Sequence, residues 1–205
     1  MYVDRNNITM KFLTTIMSFL FVVICSVATP RCRIQKYDES DGLTQWHVTQ
    51  MTQDRQGMMW FSTWNGLCRY DGYEFQGFKG HVGDVNEIAT DRIRTVWLND
   101  DGNIGCRVDD DLYLFNLHTY RFETRPGLKS YRNNAKSVKS GRPYKYKDKD
   151  GVLWTVYYDG KLTYSTDGTT ENPYEGSVKM ESARFCLPDR QGNLWVAGVN
   201  GIYKI

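Results

Sequence analysis

Four copies of one short pattern run through this chain and restrict it to a repeat architecture. Each copy is an Asp or Asn, two residues, a Gly, and then an apolar stretch that usually holds Trp. The copies are Asp54-Arg-Gln-Gly57-Met-Met-Trp60, Asn99-Asp-Asp-Gly102-Asn-Ile-Gly105, Asp148-Lys-Asp-Gly151-Val-Leu-Trp154 and Asp189-Arg-Gln-Gly192-Asn-Leu-Trp195. Their glycines stand 45, 49 and 41 residues apart. Nine residues after each glycine comes Gly66, Asp111, Gly160 or Gly201, and thirteen after it comes Tyr70, Phe115, Tyr164 or Ile205. A period of this size marks stacked supersecondary units.

The unit is legible from turn chemistry. Asp or Asn opens a type I turn by bonding back to the backbone, and Gly in the fourth position takes the left-handed conformation that closes a bulged hairpin. In the six residues that follow, Met59 and Phe61 share one face of a strand with their counterparts Ile104 and Cys106, Leu153 and Thr155, Leu194 and Val196. The intervening Trp points to the other face, so the strand is covered on both sides. A second tight turn and a third strand follow (Gly66 to Tyr70, Gly201 to Ile205), with first strands at Val48 to Gln53 and Ile93 to Leu98. Fourth strands are expected at Tyr73 to Phe78 and Tyr120 to Phe122. Four short antiparallel strands in about 45 residues, buried on both faces, describe a β-propeller blade. The expected fold is therefore all-β, with about four blades near 34–80, 88–124, 142–175 and 182–205. A partial propeller is the first reading. The second is a closed four-bladed ring, in which the segment Arg33 to Tyr37 supplies the strand that blade four lacks. An open ring would expose sheet faces lined with Trp and Met, an aggregation liability.

Residues 1–28 read as an export signal. Lys11 precedes an apolar run from Phe12 to Val27 that contains Thr14, Thr15, Ser18 and Ser26, and Ser26-Val-Ala28 offers small residues for cleavage after Ala28. Met10 is the expected true start. The run is short for a span of about 20 residues, which makes an uncleaved anchor the second choice. Export leaves Cys32, Cys68, Cys106 and Cys186 in an oxidising compartment, but they fall at different places in the repeat. They read as small buried apolar side chains and not as a disulfide framework.

The net charge of +2 gives no reason to expect a nucleic-acid partner. The basic stretch 125–149, with nine Lys or Arg, reads as a solvated connection between blades two and three. No zinc spacing is present, and Asp109-Asp110-Asp111 reads as a turn and not a calcium site, because three adjacent carboxylates cannot all face one ion. No metal and no cofactor are expected.

The run Asp54 to Tyr73 and the segment Asp41-Gly-Leu-Thr-Gln-Trp-His-Val48 resemble the two-component regulator propeller repeat. The resemblance covers residues 34 to 205 and is closest in the first and fourth repeats; the second departs at Gly105 and Asp111, the third at Lys145. It implies the periplasmic sensor half of a hybrid two-component system, with a signal peptide and propeller blades that detect carbohydrate fragments. It also implies a β-sandwich, a membrane helix and signalling domains downstream, or another propeller chain as partner. The 205 residues hold none of these, so a truncated product, a fragment or a remnant is expected, and a nonfunctional fragment stays among the readings.

Asp54, Gly57, Trp60, Gly66, Asn99, Gly102, Asp148, Gly151, Trp154, Asp189, Gly192, Trp195 and Gly201 are scaffold, because the period explains them. Function is sought where the copies differ. The candidates for an oligosaccharide or other small ligand are Trp46, His47, Trp64, Asn65, Arg69, Asp71 and Tyr73 in blade one, Arg107 and Asp109 in blade two, and Tyr157 and Tyr158 in blade three. Aromatic faces stack on sugar C–H groups, Arg forks onto carboxylate or sulfate, and Asn or Asp bonds hydroxyls. The competing reading of Trp46 and Trp64 is packing between blades. Propellers also carry lyase and lactonase sites, which require carboxylates or His converging on the axis; no such pairing is visible by spacing, and no catalytic residue is named.

Overall fold

The computed structural model describes residue 30 and residues 32–205, except 82, 85, 86, 131–134 and 177. The expected export signal, its start at Met10 and its cleavage point lie outside the described residues. Among the described residues no helix is long and apolar enough to cross a membrane.

Strand β1 (Gln35–Tyr37) precedes the repeats. Blade one is β2 (Val48–Gln53), β3 (Met59–Thr63), β4 (Gly66–Tyr70) and β5 (Phe75–Phe78). Blade two is β6 (Ile93–Leu98), β7 (Ile104–Val108), β8 (Asp111–Asn116) and β9 (Arg121–Thr124). A short β10 (Lys136–Ser137) follows. Blade three is β11 (Tyr144–Lys147), β12 (Leu153–Val156), β13 (Leu162–Ser165) and β14 (Asn172–Pro173). Blade four is β15 (Phe185–Pro188), β16 (Leu194–Ala197) and β17 (Ile202–Lys204). Within each blade, consecutive strands pair antiparallel. The fold is a partial β-propeller.

The repeat motif works as a small machine. Gly57, Gly102, Gly151 and Gly192 all adopt positive φ, and each donates its N–H to the carbonyl of the Asp or Asn three residues earlier. In three blades the carboxylate does two jobs. Oδ1 of Asp54 accepts from the backbone of Gln56 and Met58, and Oδ2 accepts the indole N–H of Trp60 at 2.8 Å. Asp148 does the same for Trp154 at 2.7 Å, and Asp189 for Trp195 at 2.8 Å. The turn is thereby fixed to the core by a charge-assisted hydrogen bond.

Blade two departs in a way that preserves the packing. Gly105 pairs across the ladder with Trp97, whose ring fills the space above it; a Cβ on Gly105 would lie 2.1 Å from Trp97 Cε2. The tryptophan has moved to the neighbouring strand. Its indole N–H is buried and has no hydrogen-bond partner among the described residues, and Asn99 donates its amide to Asp101. The second turn is also rebuilt: Asp111 replaces the glycine, and the left-handed conformation passes to Asp109, at φ 50°.

Three core clusters hold the blades together. Met59, Phe61 and Cys68 of blade one pack with Trp195, Ala197 and Ile202 of blade four. Trp60 and Leu67 pack with Ile104, Cys106 and Phe115 of blade two. Trp154 and Val156 of blade three pack with Leu194, Val196 and Tyr203 of blade four. The middle strand β3 is thus buried on both faces, as its apolar run requires. Strand β1 pairs with β17 in the register Gln35↔Lys204, Lys36↔Tyr203 and Tyr37↔Ile202, and so completes blade four. At the other edge of that sheet β10 pairs with β15. No cluster of the described residues joins blade two to blade three. Completing blade four and closing the ring are therefore separate events, and the structure shows the first. The face of β12 opposite Trp154 carries Leu153 and the buried Thr155, and the blade-two face away from blade one carries the buried Trp97.

Cys68, Cys106 and Cys186 are buried free thiols, and Cys32 is a half-buried free thiol. Burial pushes the Cys68 thiol up to about 11, against partial relief from Thr44.

Candidate functional site

The site begins in the two-residue turn between β3 and β4. Thr63 pairs with Gly66, which leaves Trp64 and Asn65 at the tip. Thr63 Oγ1 donates to the Gly66 carbonyl and accepts from the Asn65 N–H, which fixes the turn. The Asn65 amide donates to the Thr44 carbonyl at 3.0 Å, and the Trp64 N–H donates to the Gln45 side chain at 3.1 Å. These bonds lay the segment before β2 against the turn. His47 then sits 4.4 Å from the Trp64 ring, tilted by 31°, and Trp46 meets His47 edge-on at 5.5 Å. Arg92 places its guanidinium carbon 5.9 Å from the centre of the Trp64 ring. Burial and the nearby Arg184 both pull His47 below the ordinary histidine range, so the imidazole is neutral at pH 7.

Trp46 and Trp64 are 46% and 49% exposed, which large aromatics packed between blades would not be. Trp64 has His47 and Arg92 against its ring, whereas Trp46 opens on a cavity of about 500 Å³ lined by Lys36, Asp38, Glu39, Ser40, Trp46 and Asn200. This cavity exists because β1 pairs with β17. That pairing carries Lys36 to Ser40 alongside the β16–β17 turn that presents Asn200. The wall is ordered by its own bonds. Asp38 Oδ1 accepts from the Ser40 hydroxyl at 2.6 Å and the Ser40 N–H at 2.9 Å, which holds its carboxyl below the usual range. Lys36 Nζ lies 3.5 Å from Asp38. Glu39 accepts the Trp46 backbone N–H at 3.1 Å, which ties this residue to the wall. The cavity therefore offers one aromatic face, two carboxylates, a hydroxyl, an amide and an ammonium.

Of the sequence-derived candidates, Trp46, His47 and Trp64 come together here, with Asn65 holding the turn. The others are distributed. Arg69 lies at the opposite end of blade one, against Phe78 and Tyr120. Asp71 caps its own turn by accepting from the Tyr73 and Glu74 N–H groups. Tyr73 is 95% exposed. Arg107 reaches Ser130 at 3.5 Å, and Asp109 pairs with Arg94 at 2.8 Å. Tyr157 donates to Glu171 at 2.6 Å, and the exposed Tyr158 accepts the Ala183 N–H through its carbonyl. Lys36, Asp38, Glu39, Ser40 and Asn200 were not among the candidates. Among the described residues no group of three or more His, Cys, Asp or Glu is placed to hold a metal ion.

No family model matches the chain, and no curated protein matches it. Solved structures do. An extracellular domain assigned to the hybrid two component system BT3049 of B. thetaiotaomicron matches 84% of this chain and 41% of its own length, at 16% identity and a TM-score of 0.42. The corresponding domain of BT4673 from the same organism matches 85% of this chain and 26% of its own, at 20% identity and 0.36. A streptogramin B lyase matches 81% of this chain and 52% of its own, at 13% identity and 0.35. The chain thus spans well under two thirds of the length of these neighbours. At such low identities and TM-scores they do not assign a function.

Proposed function

We propose that this chain is a ligand-sensing propeller segment of an exported two-component-type sensor, and that it binds oligosaccharide without turning it over. The binding place is the cavity beside Trp46. One observation carries the reading: a half-exposed indole lines a cavity of about 500 Å³ together with carboxylate, hydroxyl, amide and ammonium groups. Sugars present just such a mixture, an apolar C–H face edged by hydroxyls. An aromatic face with a few fixed polar partners is the matching surface. His47 meets the Trp46 ring edge-on and lies against Trp64 on the other side of the cluster. Export is supported by the apolar run and small-residue site of residues 1–28, and the sensor assignment by the repeat sequence of blade one.

The test is a titration of the full chain with a panel of neutral and acidic oligosaccharides, read by tryptophan fluorescence, with product formation followed in the same samples. Saturable binding that weakens at least tenfold in Trp46→Ala and measurably in Asn200→Ala, with no product, supports the reading. Turnover that disappears on changing Asp38 or Glu39 would replace it with the lyase or lactonase alternative.

A further inference from the structure

A second cavity, of about 300 Å³, lies at the other end of the strands, in the seam between blades one and two. Its walls are the two repeat turns, Asp54 to Gln56 and Asp101 to Asn103, and the β8–β9 turn from Leu117 to Tyr120; Trp60 and Arg69 complete it. This end is remote in the strand order from the Trp46 cavity, and the inference drawn from it does not depend on the function proposed above.

Arg69 is the centre of the argument. Its guanidinium lies 5.9 Å from the Phe78 ring centre and 5.8 Å from that of Tyr120, and those two rings stack at 5.5 Å with only 4° between their planes. Nη2 donates to Gln76 at 2.6 Å, and Nη1 reaches the Tyr120 hydroxyl at 3.4 Å. Nε is buried with no hydrogen-bond partner among the described residues. A buried cationic donor left unmade is costly, and it fits a site whose acceptor arrives from outside. Tyr120 itself sits at φ 56°, a strained conformation for a tyrosine.

The acceptors already in the cavity are committed. Asp54 spends both oxygens on its own turn and on Trp60. Asp101 accepts from the Asn99 amide, from the Asn103 backbone and amide, and from Arg125. Its burial opposes ionisation, but these donors win and hold it well below the usual carboxylate range. The lining guanidinium groups of Arg55 and Arg69 balance the lining carboxylates of Asp54 and Asp101, and the donor left over is Arg69 Nε. One spare donor without an excess of positive charge suits a monoanion better than a phosphate, which carries nearly two charges at neutral pH. The volume is at the lower end for ligand cavities and accommodates a single sugar-sized molecule.

We propose that this seam is a second binding site, selective for a small carboxylate-bearing ligand of monosaccharide size, with Arg69 as the residue that recognises the carboxylate. The test is calorimetry on the full chain with D-glucuronate as probe, and with glucose and inorganic phosphate alongside. The expected result is saturable glucuronate binding that Arg69→Gln weakens at least tenfold and Lys149→Gln, on an exposed turn of blade three, leaves unchanged, with glucose and phosphate binding at least tenfold more weakly. Arg55→Gln, a change on the exposed rim that spares the stacked rings, should weaken it about threefold and serves if Arg69→Gln fails to fold. No glucuronate binding, binding of glucose or phosphate as tight as that of glucuronate, or binding indifferent to both Arg substitutions would each overturn the proposal. Loss of this site with the Trp46 cavity still functional, or the reverse, separates the two sites.

Discussion

Replacing Asp54 by Ala removes one 1%-exposed side chain and, with it, three hydrogen bonds. The Gln56 N–H is on an exposed residue and regains water, so little is lost there. The Met58 N–H is half-covered and loses a charged acceptor, at about 1 kcal/mol. The indole of Trp60 stays buried with its N–H unmade, at about 1–3 kcal/mol, and the net worth of the charge-assisted bond goes with it. The expected cost is about 3–5 kcal/mol. Blade two provides the internal control. Asn99 donates once, to Asp101, and no indole depends on it, so Asn99→Ala should cost about 1 kcal/mol. Urea unfolding followed by tryptophan fluorescence gives both numbers on one scale. If Asp54→Ala costs no more than Asn99→Ala, the turn carboxylates do not tie the turns to the core and the structural reading of the motif is wrong.

The transposed tryptophan gives a second paired test: Trp195→Phe should cost about 1–2 kcal/mol more than Trp97→Phe, since only Trp195 donates to a carboxylate; equal costs would argue against the difference. Gly201 sits at φ 118°, and a Cβ there would fall 2.3 Å from the Tyr37 carbonyl. Gly201→Ala should therefore dislodge β1 and open the segment 30–47 to protease, whereas Gly192→Ala, with open space around it, should cost only about 1–2 kcal/mol of left-handed strain. Burial raises the Cys68 thiol to about 11 from an ordinary 9.0. The folded chain then holds this proton after the unfolded chain has released it. The stability it contributes is complete below pH 9 and declines as pH climbs through about 11. The urea midpoint should fall between pH 8.5 and about 10.5, with a shallower slope in Cys68→Ala; an identical slope would refute the assignment.

The fold was legible because its signal is repeated and local. Asp-x-x-Gly turns and alternating apolar residues report on neighbours within a blade, and the strands fall where that chemistry puts them. The site was legible only in part. Trp46, His47 and Trp64 stand out as large aromatics at a blade end, and the structure gathers them through the Asn65 and Gln45 bonds to segment and turn. Lys36, Asp38, Glu39 and Ser40 meet Asn200 through the pairing of β1 with β17, across more than 160 residues, and no local pattern reports that. Arg69 stood out as an arginine in a strand. That it belongs to a different cavity from Trp46 follows from strand direction, because the Trp64–Asn65 turn, where Trp46 and His47 gather, and Arg69 lie toward opposite ends of β4. Gly105 looked like a lost tryptophan. The ladder shows that Trp97 replaces it from the partner strand, a compensation that two faces in register make possible.

The most direct test of the central claim is a crystal structure of the full chain with an oligosaccharide selected by the fluorescence titration. The account predicts a sugar ring lying on the open face of Trp46, with hydroxyls on Asn200, Ser40 and the Asp38–Glu39 wall. A sugar bound elsewhere, with the Trp46 cavity empty at saturating ligand, would contradict it.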